Sequence, residues 1–109
     1  MTNAAKVLGQ LNPAPTTLAD LYVVPGGKQC VSSSIVVCNR AGGAQTFRIS
    51  VAVAGAANNV KQYLYYDLPL TGNNTFIATI GITLGSGDVV RVYASNGNLS
   101  FNLFGTEIT

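Results

Sequence analysis

The sequence predicts an all-β protein: an antiparallel β-sandwich, jelly-roll or immunoglobulin-like, of about seven to eight strands with an extended N-terminal arm. Three observations predict it. The chain has 109 residues, close to the roughly 100 that such a sandwich needs. Its apolar residues fall in short runs, clearest at 46–53, where they alternate with polar ones at the period of a half-buried strand. The runs are separated by clusters of Gly, Pro, Asn and Ser, the residues that turns require. No window shows helical periodicity bounded by caps.

Residues 1–18 stand apart. Pro13 and Pro15 bar a helix across their stretch and bias it to extended backbone. The segment reads as an arm that, fully extended, reaches about 60 Å. Val7, Leu8 and Leu11 are its apolar residues and the candidates for docking on a neighbouring subunit. A short helix over residues 4–11 is the alternative. The predicted organisation is an arm over 1–18 and one sandwich domain over 19–109.

The strand runs follow in order. Residues 21–24 end at Pro25, Gly26 and Gly27, and residues 29–38 end at the segment from Asn39 to Gly43. Over 46–53, Phe47, Ile49, Val51 and Val53 share one face and Thr46, Arg48, Ser50 and Ala52 the other. Residues 60–68 hold Tyr63, Leu64, Tyr65 and Tyr66; the runs at 75–83, 89–94 and 99–104 complete the series. Asn96-Gly97 before the last run marks a tight hairpin, because Asn-Gly accepts positive φ. Phe47, Ile49, Val51, Ile80, Val90, Val92 and Phe101 are the expected core. Cys30 and Cys38 lie on one run. A straight strand puts their Cα atoms about 26 Å apart, beyond the roughly 7 Å limit of a disulfide, so two free thiols are expected unless Ser32, Ser33 and Ser34 form a turn.

Composition narrows function. Charged residues make up 9% of the chain, against about 25% in ordinary soluble domains, so the surface is built from Thr, Ser, Asn, Gln, Gly and Ala. A chain so poor in charge is expected to bury surface in an assembly. The six cations never cluster and the net charge is +2, which argues against nucleic acid. No run is long enough to span a membrane, and residues 1–11 lack a secretory signature, so synthesis in the cytosol is expected. The chain contains no histidine, which removes the commonest general base and most zinc sites. Asp20, Asp67, Asp88 and Glu107 are scattered. No catalytic residue, cofactor or metal site is expected, and an enzyme is the least favoured class.

The candidate functional residues are therefore interface residues. Tyr63, Tyr65 and Tyr66 suit an interface or a ligand platform; alternation alone would put Tyr63 and Tyr65 on one face and Leu64 and Tyr66 on the other, one pair in the core. Arg48 and Arg91 sit mid-strand on polar faces, as intersubunit partners for Asp67 or Asp20 of a neighbour or as solvated side chains. Asp88 reads as a turn former. Asn73-Asn74-Thr75 and Asn98-Leu99-Ser100 are acceptor triplets in form but read as turn residues.

The runs at 21–27, 31–39, 46–51, 63–67, 87–92 and 101–105 resemble, in order, those of small β-sandwich structural proteins of tailed bacteriophage virions. The resemblance covers roughly residues 20–108. It implies a non-enzymatic virion component assembled in the host cytoplasm: a capsid decoration (cement) protein, with a tail, baseplate or fibre module as the alternative. Its implied partners are copies of itself, with a trimer favoured, and the major capsid protein or other virion proteins. A receptor- or glycan-binding sandwich is the competing class; the absence of Trp weighs against it.

Overall fold

The computed structural model describes residues 2–109. Nine strands occur in order: β1 (Asn3–Leu11), β2 (Ala19–Val23), β3 (Gln29–Asn39), β4 (Gln45–Ala52), β5 (Tyr63–Leu70), β6 (Thr75–Ala78), β7 (Ile82–Leu84), β8 (Val89–Ala94) and β9 (Leu99–Ile108). Short 3₁₀ turns at Val53–Gly55 and Val60–Gln62 lie between β4 and β5.

All pairings are antiparallel and build two sheets, β1-β9-β3-β6 with β7 also on β3, and β2-β8-β4-β5. Strands β6 and β7 share one sheet position, since they pair with successive stretches of β3. That split, together with β1 from the segment expected as an arm, explains why nine strands occur where seven to eight were expected. The chain shuttles between the sheets at almost every connection, which is jelly-roll connectivity rather than the immunoglobulin order.

The inward positions of both sheets meet in one core. Phe47, Ile49, Val90, Val92 and Phe101, all expected there, are fully buried. Phe47 touches Phe76 and Phe101 at ring-centroid distances of 5.2 and 6.2 Å. Val51 sits at the core margin. Ile80 does not belong to it: it lies in the β6–β7 link and is 38% exposed, because the run at 75–83 breaks into two short strands.

The expected arm is corrected. Residues 3–11 pair with β9 from Ile108 back to Phe101, with one slip at Leu8, and form the edge of the first sheet. Leu8 and Leu11 pack against the chain's own core, while Val7 points outward. The prolines come after the strand, where the chain crosses between sheets. There Asn12 Nδ2 donates to the carbonyls of Gly97 and Leu99 at 2.9 and 2.7 Å, and Thr16 N donates to Ala94 O. Without a proline, residues 3–11 keep every donor the ladder needs.

Buried Asn39 ties the loops at one end. Its Nδ2 donates to the carbonyls of Gly43, Leu70 and Thr71, and its Oδ1 accepts from Ala41 N. Gly72 passes Gly42 so closely that a Cβ would collide with the Gly42 carbonyl, which requires glycine there.

Candidate functional site

The outer face of the second sheet is organised by two irregularities in β5. Phe47 pairs with Leu68 and Ile49 with Tyr65, so Arg48 alone stands opposite both Tyr66 and Asp67. This is a bulge, and Asp67 takes a positive φ of 49° within it. A second slip leaves Leu64 unpaired between Tyr65 and Tyr63. Each extra residue reverses the side-chain parity of the residues beyond it. The face expectation for the tyrosines is corrected accordingly. Tyr65 turns inward onto Phe76, with ring centroids 5.2 Å apart, whereas Tyr63 and Tyr66 meet edge to face outside at 4.9 Å.

Arg48 is the centre of that outer group. Its Nε and Nη2 donate to the two carboxylate oxygens of Asp67 at 2.6 and 3.3 Å. Its guanidinium carbon lies 4.3 Å from the Tyr66 ring centre and 4.2 Å from that of Tyr93, its register partner on β8. The hydrogen bond to Asp67 holds the guanidinium protonated well above its ordinary range. Beside it Val60, Tyr63 and Tyr66 line a shallow apolar depression; Val60 is 83% and Tyr66 58% exposed.

Arg91 holds the β4–β5 connection over the same sheet. It pairs with Asp20 at 3.2 Å and donates to the carbonyls of Ala56 and Gly55. Asp88 works on both sides of its turn: Oδ2 accepts from Gly85 N and Oδ1 from Ala54 N. Both arginines thus find the expected aspartates, but within the chain and on adjacent strands. The expected intersubunit pairs are corrected to intrachain ones, because antiparallel register brings Arg91 opposite Asp20 and the bulge brings Asp67 to Arg48.

Sequence reasoning missed the buried charge. Glu107 on β9 is 3% exposed on its side chain, with Oε2 accepting from the Tyr22 hydroxyl at 2.5 Å. Its Oε1 accepts no hydrogen bond of regular angle, yet lies 2.8 Å from Lys6 Nζ and 3.5 Å from Lys28 Nζ. Lys6 first, then the Tyr22 hydroxyl, pull its carboxyl down to about 2 against the opposing effect of burial. Burial, reinforced by the bond to Glu107, pushes the Tyr22 phenol up, and burial raises the Cys30 thiol beside them. A signal was present: Glu107 shares strand parity with Phe101 and Leu103, which point inward.

Both cysteines are free on one continuous strand, Cys30 buried and Cys38 half-buried. Among the described residues, no three His, Cys, Asp or Glu side chains gather as metal ligands would.

The ten charged residues are unevenly placed. Asp20, Arg48, Asp67 and Arg91 form the two pairs on the second sheet. Lys6 and Lys28, themselves partly exposed, converge on buried Glu107. Arg40, Lys61 and Asp88 lie outside the strands. The outer face of the first sheet therefore carries no charge along its strands; Arg40, whose N–H continues the β3–β9 ladder to Asn98 O, stands at its end.

In architecture the chain is a single jelly-roll β-sandwich. No family model matches the chain, and no curated protein matches it. Among solved structures it is similar to a pentameric capsid protein isolated from metagenomic phage sequences, with 16% identity and a TM-score of 0.36. The match covers 95% of this chain and 62% of that one, so the chain spans less than two thirds of that protein.

Proposed function

We propose that the protein is a non-enzymatic structural component of a tailed-phage virion, and specifically a capsid decoration protein that binds the head as a closed symmetric oligomer. The observation that carries this reading is the disposition of charge. One outer face has none along its strands, and the other neutralises its own in two cross-strand pairs. Such a block offers other proteins apolar, hydroxyl and amide surface. The order of strand and turn segments that resembles phage sandwiches supports the virion assignment, with assembly in the host cytoplasm. Jelly rolls also serve as lectins, so the fold by itself does not choose.

The partners are other copies of this chain and the major capsid protein, with no cofactor, metal, nucleic acid or membrane required. A threefold lattice junction asks for a trimer and a twofold one for a dimer. Contacts of this kind draw on burial at about 25 cal/mol per Å² before association costs and are little screened by salt. The test is to mix the protein with undecorated capsids at low and high ionic strength and count bound copies. Saturable, salt-resistant binding is expected. A protein that ignores capsids but co-purifies with tails is a tail module.

One observation favours a second reading, receptor or glycan binding. Tyr63 and Tyr66 border an exposed apolar depression beside Arg48, and aromatic surface of that kind can stack on sugars. A glycan array decides it: binding lost on Tyr66→Ala would replace the decoration reading.

A further inference from the structure

We infer that the outer face of the first sheet is the surface through which two copies of this chain pack on each other. The register defines the face. Gln10, Asn102, Val36 and Ile77 lie side by side across β1, β9, β3 and β6. In the next row Val7, Phe104 and Ser34 align across β1, β9 and β3. The residues between these rows, Leu103 and Ile35, are fully buried, so both rows point away from the core.

The chemistry selects a second copy as occupant. Between its ends, where Arg40 follows β3, every strand side chain on the face is aliphatic, aromatic, thiol, hydroxyl or amide. Hydroxyls and amides donate and accept alike, so the surface is complementary to itself, and pairing it with its own copy opposes no like charges. A partner bearing charged groups would have to desolvate them against a face that offers no counter-ion. Apolar residues stand out among the polar ones: Ile77 is 62%, Val7 47% and Val31 41% exposed.

The area is sufficient. Four strand positions at about 4.8 Å and ten residues at about 3.3 Å give a footprint of roughly 600 Å², and side-chain relief adds accessible surface. A stable interface takes about 600–1,000 Å² from each partner. The connection between β4 and β5 lies over the other sheet, whereas Ile77, Val7 and Val31 on this one stay exposed. Packing one face on itself generates a twofold pair, so a dimer replaces the trimer. It concerns self-association alone. A dimer that ignores capsids would sink the virion reading and leave this one standing.

Sedimentation equilibrium over a wide concentration range tests it on the full chain. Wild type should dimerise reversibly. Ile77→Lys puts a charge at a position already 62% exposed, so the monomer should fold as before while dimerisation weakens at least tenfold. Gln10→Glu, in the same row on β1, should weaken it too and serves if Ile77→Lys folds poorly. Leu64→Lys, on β5 of the other sheet, should leave the equilibrium unchanged. Cys38, half-buried on the proposed interface, gives a second readout: its thiol should react more slowly as wild-type concentration rises, and at a constant rate in Ile77→Lys. A monomer at every concentration overturns the inference, as does a trimer. So does association that responds to Leu64→Lys and not to the first-sheet variants.

Discussion

The hydroxyl of Tyr22 donates to Glu107 Oε2 at 2.5 Å, joining β2 of one sheet to β9 of the other. The same carboxylate faces Lys6 on β1, so one acidic side chain links the edge strand, the central strand and the opposite sheet.

This arrangement predicts an acid-sensitive fold. The Glu107 carboxyl titrates near 2 in the folded protein, below its ordinary value of 4.5. A lowered folded value means that the ionised group stabilises the fold at neutral pH, and that this contribution declines as pH falls from about 4.5 towards 2. Urea unfolding of wild type and Glu107→Gln should show the variant less stable at pH 7, with the gap closing through that window. A gap independent of pH would show that the carboxylate's charge contributes nothing.

At Asp67 the backbone decides the order of substitutions. Its φ of 49° costs a non-glycine side chain about 1 kcal/mol. Asp67→Ala should lose the Arg48 contact and keep that strain. Asp67→Gly should lose the contact and relieve the strain, and so be the more stable by about 1 kcal/mol. Equal midpoints in chemical denaturation would argue against the bulge.

Removing residues 1–11 should damage the fold. The deletion strips one of the two partners of β9 and takes Leu8 and Leu11 off the core. We expect loss of cooperative thermal unfolding, or a melting temperature lower by more than about 10 °C, given that 1 kcal/mol shifts a domain of this size by roughly 4–8 °C. An unchanged melting curve would return these residues to the role of a free arm.

The thiols should separate by reactivity. Cys38 on the outer face should react with a thiol reagent in dilute native protein, and Cys30, buried beside Tyr22 and Glu107, only on unfolding. Denatured, unreduced protein should titrate two groups. A single slow phase for both would place Cys38 in the core.

Much of the fold was legible because it is local. Turn chemistry located the strand breaks, and period-two alternation put Phe47, Ile49, Val90, Val92 and Phe101 inside, as found. The distance argument kept Cys30 and Cys38 apart on one strand, and the continuous β3 agrees. Asp67 and Asp20 were named as partners for Arg48 and Arg91, but between subunits and without deciding which aspartate goes with which arginine.

The features that escaped depend on partners far along the chain. Alternation assigns faces only while a strand is unbroken. The slips in β5 exist only against β4, and the one at Leu64 separates Tyr63 from Tyr65. Nothing within residues 3–11 says that β9, some ninety residues later, completes their ladder. A short polar-looking strand and an extended arm have the same local sequence. Glu107 was one of four scattered acids until Tyr22, Lys6 and Lys28 converged on it from three other parts of the chain. Where strands run and which side chains avoid water can be read residue by residue, because backbone stereochemistry and hydrophobicity act locally. Which strands pair, where the ladder slips and which charge is buried are set by the assembled sheets, because a hydrogen-bonded ladder is closed by groups that the chain brings together from a distance.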